Sequence, residues 1–194
     1  MSYPEAVDAL VRSAAASGIE IALKLPQGEA SVFCEQVFGK PLAAMIAAHG
    51  YPTGTELPWI VEDLYVYGLD ELAERQAGYR TDASKGMPSA DWDATQFVIA
   101  DWAANPVTIG QDRVIRYARH GMGAWTYTRI VADLPSFVLL LAAWLDYMRD
   151  KADALYDDNF EIPDTIRAEI RSKVLGMVDE VDRDAACRFL LGEF

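Results

Sequence analysis

At 194 residues, with 52% hydrophobic and 24% charged side chains, the chain has the make-up of one folded soluble domain, which excludes general disorder. Thirty acidic residues against seventeen basic ones leave a net charge of −13. That charge repels nucleic-acid backbone and anionic lipid and favours a basic partner, where it does more than keep the protein soluble.

In chain order, Ser2 and Glu5 have the spacing of a capping box, so a helix is predicted from Tyr3. Val7, Leu10, Val11 and Ala14 follow one buried face of it, and Gly18 ends it. A second helix is expected over Glu29–Phe38 with Val32, Phe33, Val37 and Phe38 as its apolar residues, stopped by Gly39. Pro41 opens a short third helix that His49-Gly50 closes. Tyr51–Pro58 concentrates Pro, Gly and Thr and reads as loop. Trp59–Tyr67 reads as extended, Leu69–Gln76 as a brief helix, and Gly78–Asp93 as a long irregular connection.

Strands come next. Phe97–Trp102, Asn105–Gly110, Val114–Tyr117 and the segment around Trp125 and Tyr127 are short β-prone runs, with turns at Gly110-Gln111 and Gly121-Met-Gly123. Asp133 caps a helix with Pro135 in its first turn, and Phe137, Leu140, Leu141, Trp144, Leu145 and Met148 form its apolar stripe, expected to cover one sheet face. After an acidic linker over Asp150–Pro163, two more helices are expected, Asp164–Leu175 and Val178–Leu191. Ile166, Ile170 and Val174 mark the stripe of the first; Val178, Val181, Ala185 and Phe189 mark that of the second. The class is α+β: a central, mostly antiparallel sheet packed by helices. Residues 1–50 form its N-terminal helical segment, 51–150 the sheet and covering helix, and 151–194 a helical extension, all in one globular unit.

Compartment follows from small signals. The start Ser2-Tyr3-Pro4-Glu5 lacks the basic region of a secretory leader. The longest apolar run, Phe137–Leu145, is nine residues, about half of a membrane span. Cys34 and Cys187, far apart in predicted helices, read as free buried thiols of a reducing compartment. These signs together describe a cytoplasmic protein without a membrane partner.

Chemistry-bearing patterns are sparse. His49 and His120 each precede a glycine and have no ligand cluster around them, so no metal is expected. Ser31, Ser84, Ser89, Ser136 and Ser172 lack a nucleophile elbow, and Gly121-Met-Gly123 is a hairpin turn without the following helix that a phosphate cradle needs. The pairs Glu62-Asp63, Asp91/Asp93 and Asp157-Asp158 read as solvated surface, and Arg113, Arg116, Arg119 and Arg129 are too scattered for a nucleic-acid footprint. No enzyme activity and no cofactor are expected.

One arrangement rises above the rest. Between Thr55 and Glu74 there are six acids and no base, and large aromatics stand beside acids in Asp91-Trp92-Asp93 and Asp101-Trp102. Acids steer a basic partner, and rigid rings anchor it when they are not sheet-facing core. The candidate contact residues are Glu62, Asp63, Asp91, Trp92, Asp93, Asp101 and Trp102.

The series Tyr67-Gly-Leu-Asp-Glu-Leu, Gln76-Ala-Gly-Tyr79, Trp92, Phe97-Val-Ile-Ala-Asp101, Asn105-Pro-Val, Val114, Tyr117-Ala-Arg-His-Gly121, Trp125, Ile130-Val-Ala-Asp, Phe137 and Leu141 resembles the SUKH superfamily over roughly Leu57 to Met148. The resemblance implies a twisted antiparallel sheet packed by helices. It also implies an immunity protein that neutralises a polymorphic toxin, often a nuclease, by direct binding. The family has no shared catalytic residues to carry over. Two other readings stay open: a regulatory scaffold binding host proteins, and a small-molecule-binding protein or enzyme with a pocket between the sheet and the Gly78–Asp93 connection. The apolar C-terminal stripes also offer a homodimer surface.

Overall fold

The structure, a computed structural model, describes residues 1–60, 62–82, 84, 86–151 and 154–193. Parts of three expected segments, at 61, at 83 and 85, and at 152–153, lie outside the described residues.

Helix α1 spans Tyr3–Ala16, and Glu5 accepts the Ser2 N–H at 2.8 Å, the returning half of the predicted capping box. Helix α2, Glu29–Phe38, and α3, Lys40–His49, meet at Gly39, whose φ is +74°. A side chain there would strike the Arg113 guanidinium, which lies 2.7 Å from where a Cβ would stand and donates to the Val37 carbonyl at 2.6 Å. Gly39 therefore both turns the chain and lets a hairpin arginine lock the helix junction.

Leu23–Lys24 (β1) and Tyr51–Pro52 (β2) pair in a small antiparallel sheet. The main sheet is a six-stranded antiparallel meander, ordered as the chain runs: β3 Thr55–Leu57, β4 Leu64–Val66, β5 Gln96–Trp102, β6 Asn105–Gly110, β7 Ile115–Ala118 and β8 Tyr127–Val131. The α+β class is therefore as expected, and four of the strands were predicted. Tyr51–Pro58 is not the loop its composition suggested. Tyr51 is buried with its ring 5.3 Å from Phe38, and in β3 Thr55 and Leu57 are buried while Glu56 is exposed. Tertiary pairing overrides turn composition here. Conversely, among the described residues of the extended segment only Leu64–Val66 is strand, and the brief helix over Leu69–Gln76 reduces to turns and a 3₁₀ turn at Glu74–Gln76.

Helix α4, Leu134–Lys151, begins as predicted, with Asp133 Oδ1 accepting the Ser136 N–H at 2.8 Å. Its stripe is buried from Phe137 to Leu145 and half-buried at Met148, but it packs chiefly on α1 and only in part on β8, so the sheet's helical cover is shared. Helix α6, Arg183–Leu190, follows α5, Asp164–Lys173, and lies on β8. The second C-terminal helix is shorter than predicted, because a separate 3₁₀ turn at Glu180–Asp182 precedes it. That turn rotates Val181 out to 83% exposure, off the stripe expected for it. One continuous buried cluster runs from Tyr3 to Leu191. Cys34 and Cys187 are free and buried. Among the described residues no helix is long and apolar enough to cross a membrane.

Candidate protein-docking face

Strand β5 organises the candidate residues. Asp101 and Trp102 are successive, so their side chains leave opposite faces of the sheet. Trp102 goes inward: it is 7% exposed, and its indole N–H lies 3.0 Å from both the Ile60 and Glu62 carbonyls. The ring thereby pins the segment before β4 and leaves the Glu62 and Asp63 side chains exposed at that end of the sheet. Trp102 contributes core rather than contact surface.

Asp101 goes outward into a polar cleft. Tyr67, itself buried, donates its hydroxyl to Asp101 in a short hydrogen bond. Burial first, and then the bond to and charge of Asp101, push the Tyr67 phenol far up, so it stays a neutral donor. Tyr79 is pushed up to about 12, again by burial first and by Asp101 second. The Arg75 guanidinium sits 4.8 Å from the Tyr65 ring centre and 5.3 Å from that of Tyr67, and its Nε donates to Glu71 at 2.8 Å. Glu71 also accepts from the Tyr65 hydroxyl at 2.7 Å and the Gly68 N–H at 3.0 Å. Burial raises its pKa, but these hydrogen bonds together with Arg75 outweigh burial and hold the carboxyl below its ordinary range. The resulting cleft, about 500 Å³, is lined by Tyr67, Glu71, Glu74, Arg75, Tyr79 and Asp101. It suits a cation or a hydrogen-bond donor presented from outside.

The other candidate acids stand elsewhere. Asp91 and Asp93 precede β5, across the turn that leads into Gln96, and the strand from Gln96 to Asp101 alone spans roughly 17 Å. Trp92 between them is 6% exposed, donates its N–H to the Gln96 carbonyl at 3.0 Å, and packs on Trp125 at 5.1 Å, Tyr127 at 5.5 Å and Tyr79 at 5.6 Å. Its ring too is core, as the sheet-facing alternative required. Asp93 accepts from the Thr95 N–H and hydroxyl at 2.9 and 2.8 Å, shaping the turn into β5, while Asp91 is exposed. The acids thus fall into two sets, Glu62, Asp63 and Asp101 at one end of β5 and Asp91 and Asp93 at the other. The rings of Tyr79, Trp92, Trp125 and Tyr127 pack together beside the Gly78–Asp93 connection, and Tyr79 of that connection also walls the cleft that holds Asp101.

His49 Nε2 lies 3.0 Å from Asp8 Oδ1, and the His120 ring lies 5.9 Å from that of Trp125, tilted by 53°. Among the described residues no group of three or more His, Cys, Asp or Glu side chains is disposed to hold a metal ion.

Two features of the surface escaped the sequence reading. Glu71 and Glu74 read only as part of an acidic stretch and Arg75 as the base just beyond it, yet the turn folds them over the tyrosines. Val32, assigned to the α2 stripe, is 73% exposed, since it lies about 200° around the helix from Cys34 and so opposite the buried Cys34, Val37 and Phe38. That spacing was available as a signal. Compared with protein-family models, curated proteins and solved structures, the chain matches none.

Proposed function

We propose that the chain is a cytoplasmic protein-interaction module of SUKH-like type, an immunity protein that binds and neutralises a basic toxin domain through its acidic face. The observation that carries this reading is the cleft beside β4 and β5. There Glu71, Glu74 and Asp101 stand on a floor of packed tyrosines, with Arg75 already engaged by Glu71. Such a floor presents charge with little conformational freedom to lose on docking, which favours fast and tight capture of a basic surface. The −13 net charge adds long-range attraction to the same partner, worth something like 10- to 1,000-fold in association rate at low salt.

The test is co-expression with basic toxin domains encoded next to its gene, scored by growth rescue and by co-purification. Rescue that Glu74→Lys with Asp101→Asn reduces, while the fold is kept, supports the reading. A toxin that kills regardless and does not co-purify overturns it. Substrate turnover by the purified chain alone, lost on changing one buried polar side chain, also overturns it.

A further inference from the structure

The turn from Leu69 to Gln76 is a ridge between two unlike surfaces. On one side lies the acidic cleft just described. On the other, Leu69 and Ala73 face α2 and, with Ala30, Val32 and Phe33, wall an apolar groove of about 420 Å³ that has Glu29 on its rim. The groove adjoins a second hollow of about 540 Å³ that shares Ala30, Leu69 and Asp70 and is bordered by Leu25 and Pro26. Val32 and Leu25 are 73% and 56% exposed, so the two hollows form one mainly apolar strip along the outer side of α2, edged by Lys24, Gln27, Gln36 and Asp70.

We propose that this strip seats an amphipathic α-helix of the basic partner, apolar side chains against Val32, Phe33 and Leu69 and basic side chains over Glu29 and Glu74. The inference rests on the docking reading above and specifies its anchor. Three observations carry it. First, an apolar strip beside an acidic cleft, separated by a single turn, is the complement of a helix with one apolar and one basic face. Second, the cations along the ridge are already engaged: Lys24 with Asp70 at 2.8 Å and Arg75 with Glu71 at 2.8 Å. Incoming bases therefore meet Glu29 and Glu74 without competition from them. Third, α2 has ten residues, about 15 Å, which matches roughly three turns of a partner helix anchored at i, i+3 or i+4, and i+7. A second copy of this chain fits the strip poorly, because it would bring another −13 charges toward the same acids.

The probe is a labelled 14-residue Leu/Lys peptide with leucines at helical spacing, titrated into the whole chain by fluorescence anisotropy, with amide shifts recorded by NMR. Binding with shifts at Val32, Phe33 and Leu69 is expected. Val32→Asp should weaken it about 30-fold, the loss of one anchor, even though the substitution adds a negative charge that would attract the peptide. Asp158→Lys, outside the groove and the cleft, should weaken it less than about threefold, and a urea curve confirms that both variants are folded. Equal binding by Val32→Asp, equal loss in Asp158→Lys, or equal affinity for a scrambled peptide of the same composition overturns the groove while leaving an acidic docking face standing. Failure of every cationic peptide to bind removes both readings. A dimer of the chain alone that Val32→Asp disperses overturns the partner helix in favour of a second copy.

Discussion

Gln76 offers the sharpest test of how the cleft is held. Strand β4 ends at Val66, which pairs with Ala100, and the Tyr67 N–H still reaches the Ile99 carbonyl at 3.0 Å. Beyond that point no strand among the described residues pairs with β5 on this side, and its ladder with β6 is irregular between Val98 and Ala100. The Gln76 side chain takes over. Its Nε2 donates to the Val98 carbonyl at 2.9 Å and to the Leu72 carbonyl at 2.8 Å, while its Oε1 accepts the Val98 N–H at 3.0 Å. With 4% exposure, no water stands ready to replace it. Gln76→Ala removes three hydrogen bonds of about 1 kcal/mol each and strands a buried N–H and C=O at about 1–3 kcal/mol apiece. Allowing for partial relaxation, a loss of about 3–5 kcal/mol is expected, a large share of a typical domain's 5–15 kcal/mol.

The assay is urea unfolding followed by tryptophan fluorescence, with amide exchange at Val98 as the local readout. Gln76→Ala should lower the midpoint at nearly unchanged slope and open Val98 to exchange. Gln76→Glu gives a second, independent signature. An ionised carboxylate facing the Val98 and Leu72 carbonyls is repelled, so its folded-state pKa lies above the unfolded value. The variant should therefore regain stability as pH falls through that folded-state pKa and the acid becomes a donor again. A Gln76→Ala loss below about 0.5 kcal/mol, with Val98 still protected, refutes the idea that this amide replaces a strand.

Other expectations follow from single sites. Ala103 and Ala104 form the β5–β6 turn at φ +49° and +59°, so Ala103→Asn with Ala104→Gly should raise stability by about 1 kcal/mol in the same urea assay; no gain would mean the turn is unstrained. Glu71→Gln should cost about 1–2 kcal/mol at neutral pH. Because Glu71's folded-state pKa is lowered, that difference should shrink as pH falls from the ordinary carboxylate range through the folded value; a pH-independent difference would contradict it. Burial pushes the Cys34 thiol up to about 11 and, as the main influence, also raises that of Cys187, so neither should react with a thiol reagent at pH 8 until the protein is unfolded. Asp91→Lys should leave stability unchanged, whereas Asp93→Lys should lower it through the lost Thr95 bonds; equal stabilities would mean the turn does not depend on Asp93.

Local signals carried most of the architecture. The capping box at Ser2–Glu5, the Gly39 stop, the Asp133 cap and the β-prone runs from Phe97 onward each depend on neighbours in sequence, and each is found in the fold. What was illegible depends on contacts made at a distance. Strands β2 and β3 exist because β1 and β4 pair with them, which no property of Tyr51–Leu57 alone announces. The β5–β6 hairpin turns through two alanines, with Asn105 Nδ2 donating to the Trp102 carbonyl at 3.0 Å in place of the usual Asn-Gly chemistry. In the candidate site, acidity is readable as composition, whereas the cleft around Asp101 depends on Tyr67, Glu71 and Arg75 folding beside it. Period-2 alternation put Asp101 and Trp102 on opposite faces, but only the surrounding structure decides which face is wet.

On the docking proposal, charge and anchor sit on different elements. Trp92 and Trp102 are 6% and 7% exposed, so they stiffen the sheet and leave little surface for a partner. Binding energy must then come from apolar groups that are exposed in the free chain, which Val32 and Leu25 are, because only area still in contact with water can be removed from it on docking. On the docking proposal the acids act over longer range and govern the approach. A salt series separates the two contributions: the association rate of a basic partner should fall steeply with ionic strength, while the dissociation rate should respond chiefly to Val32. If both rates depend on salt alike and neither on Val32, the apolar strip has no part in binding, and the acidic cleft must hold the partner by itself.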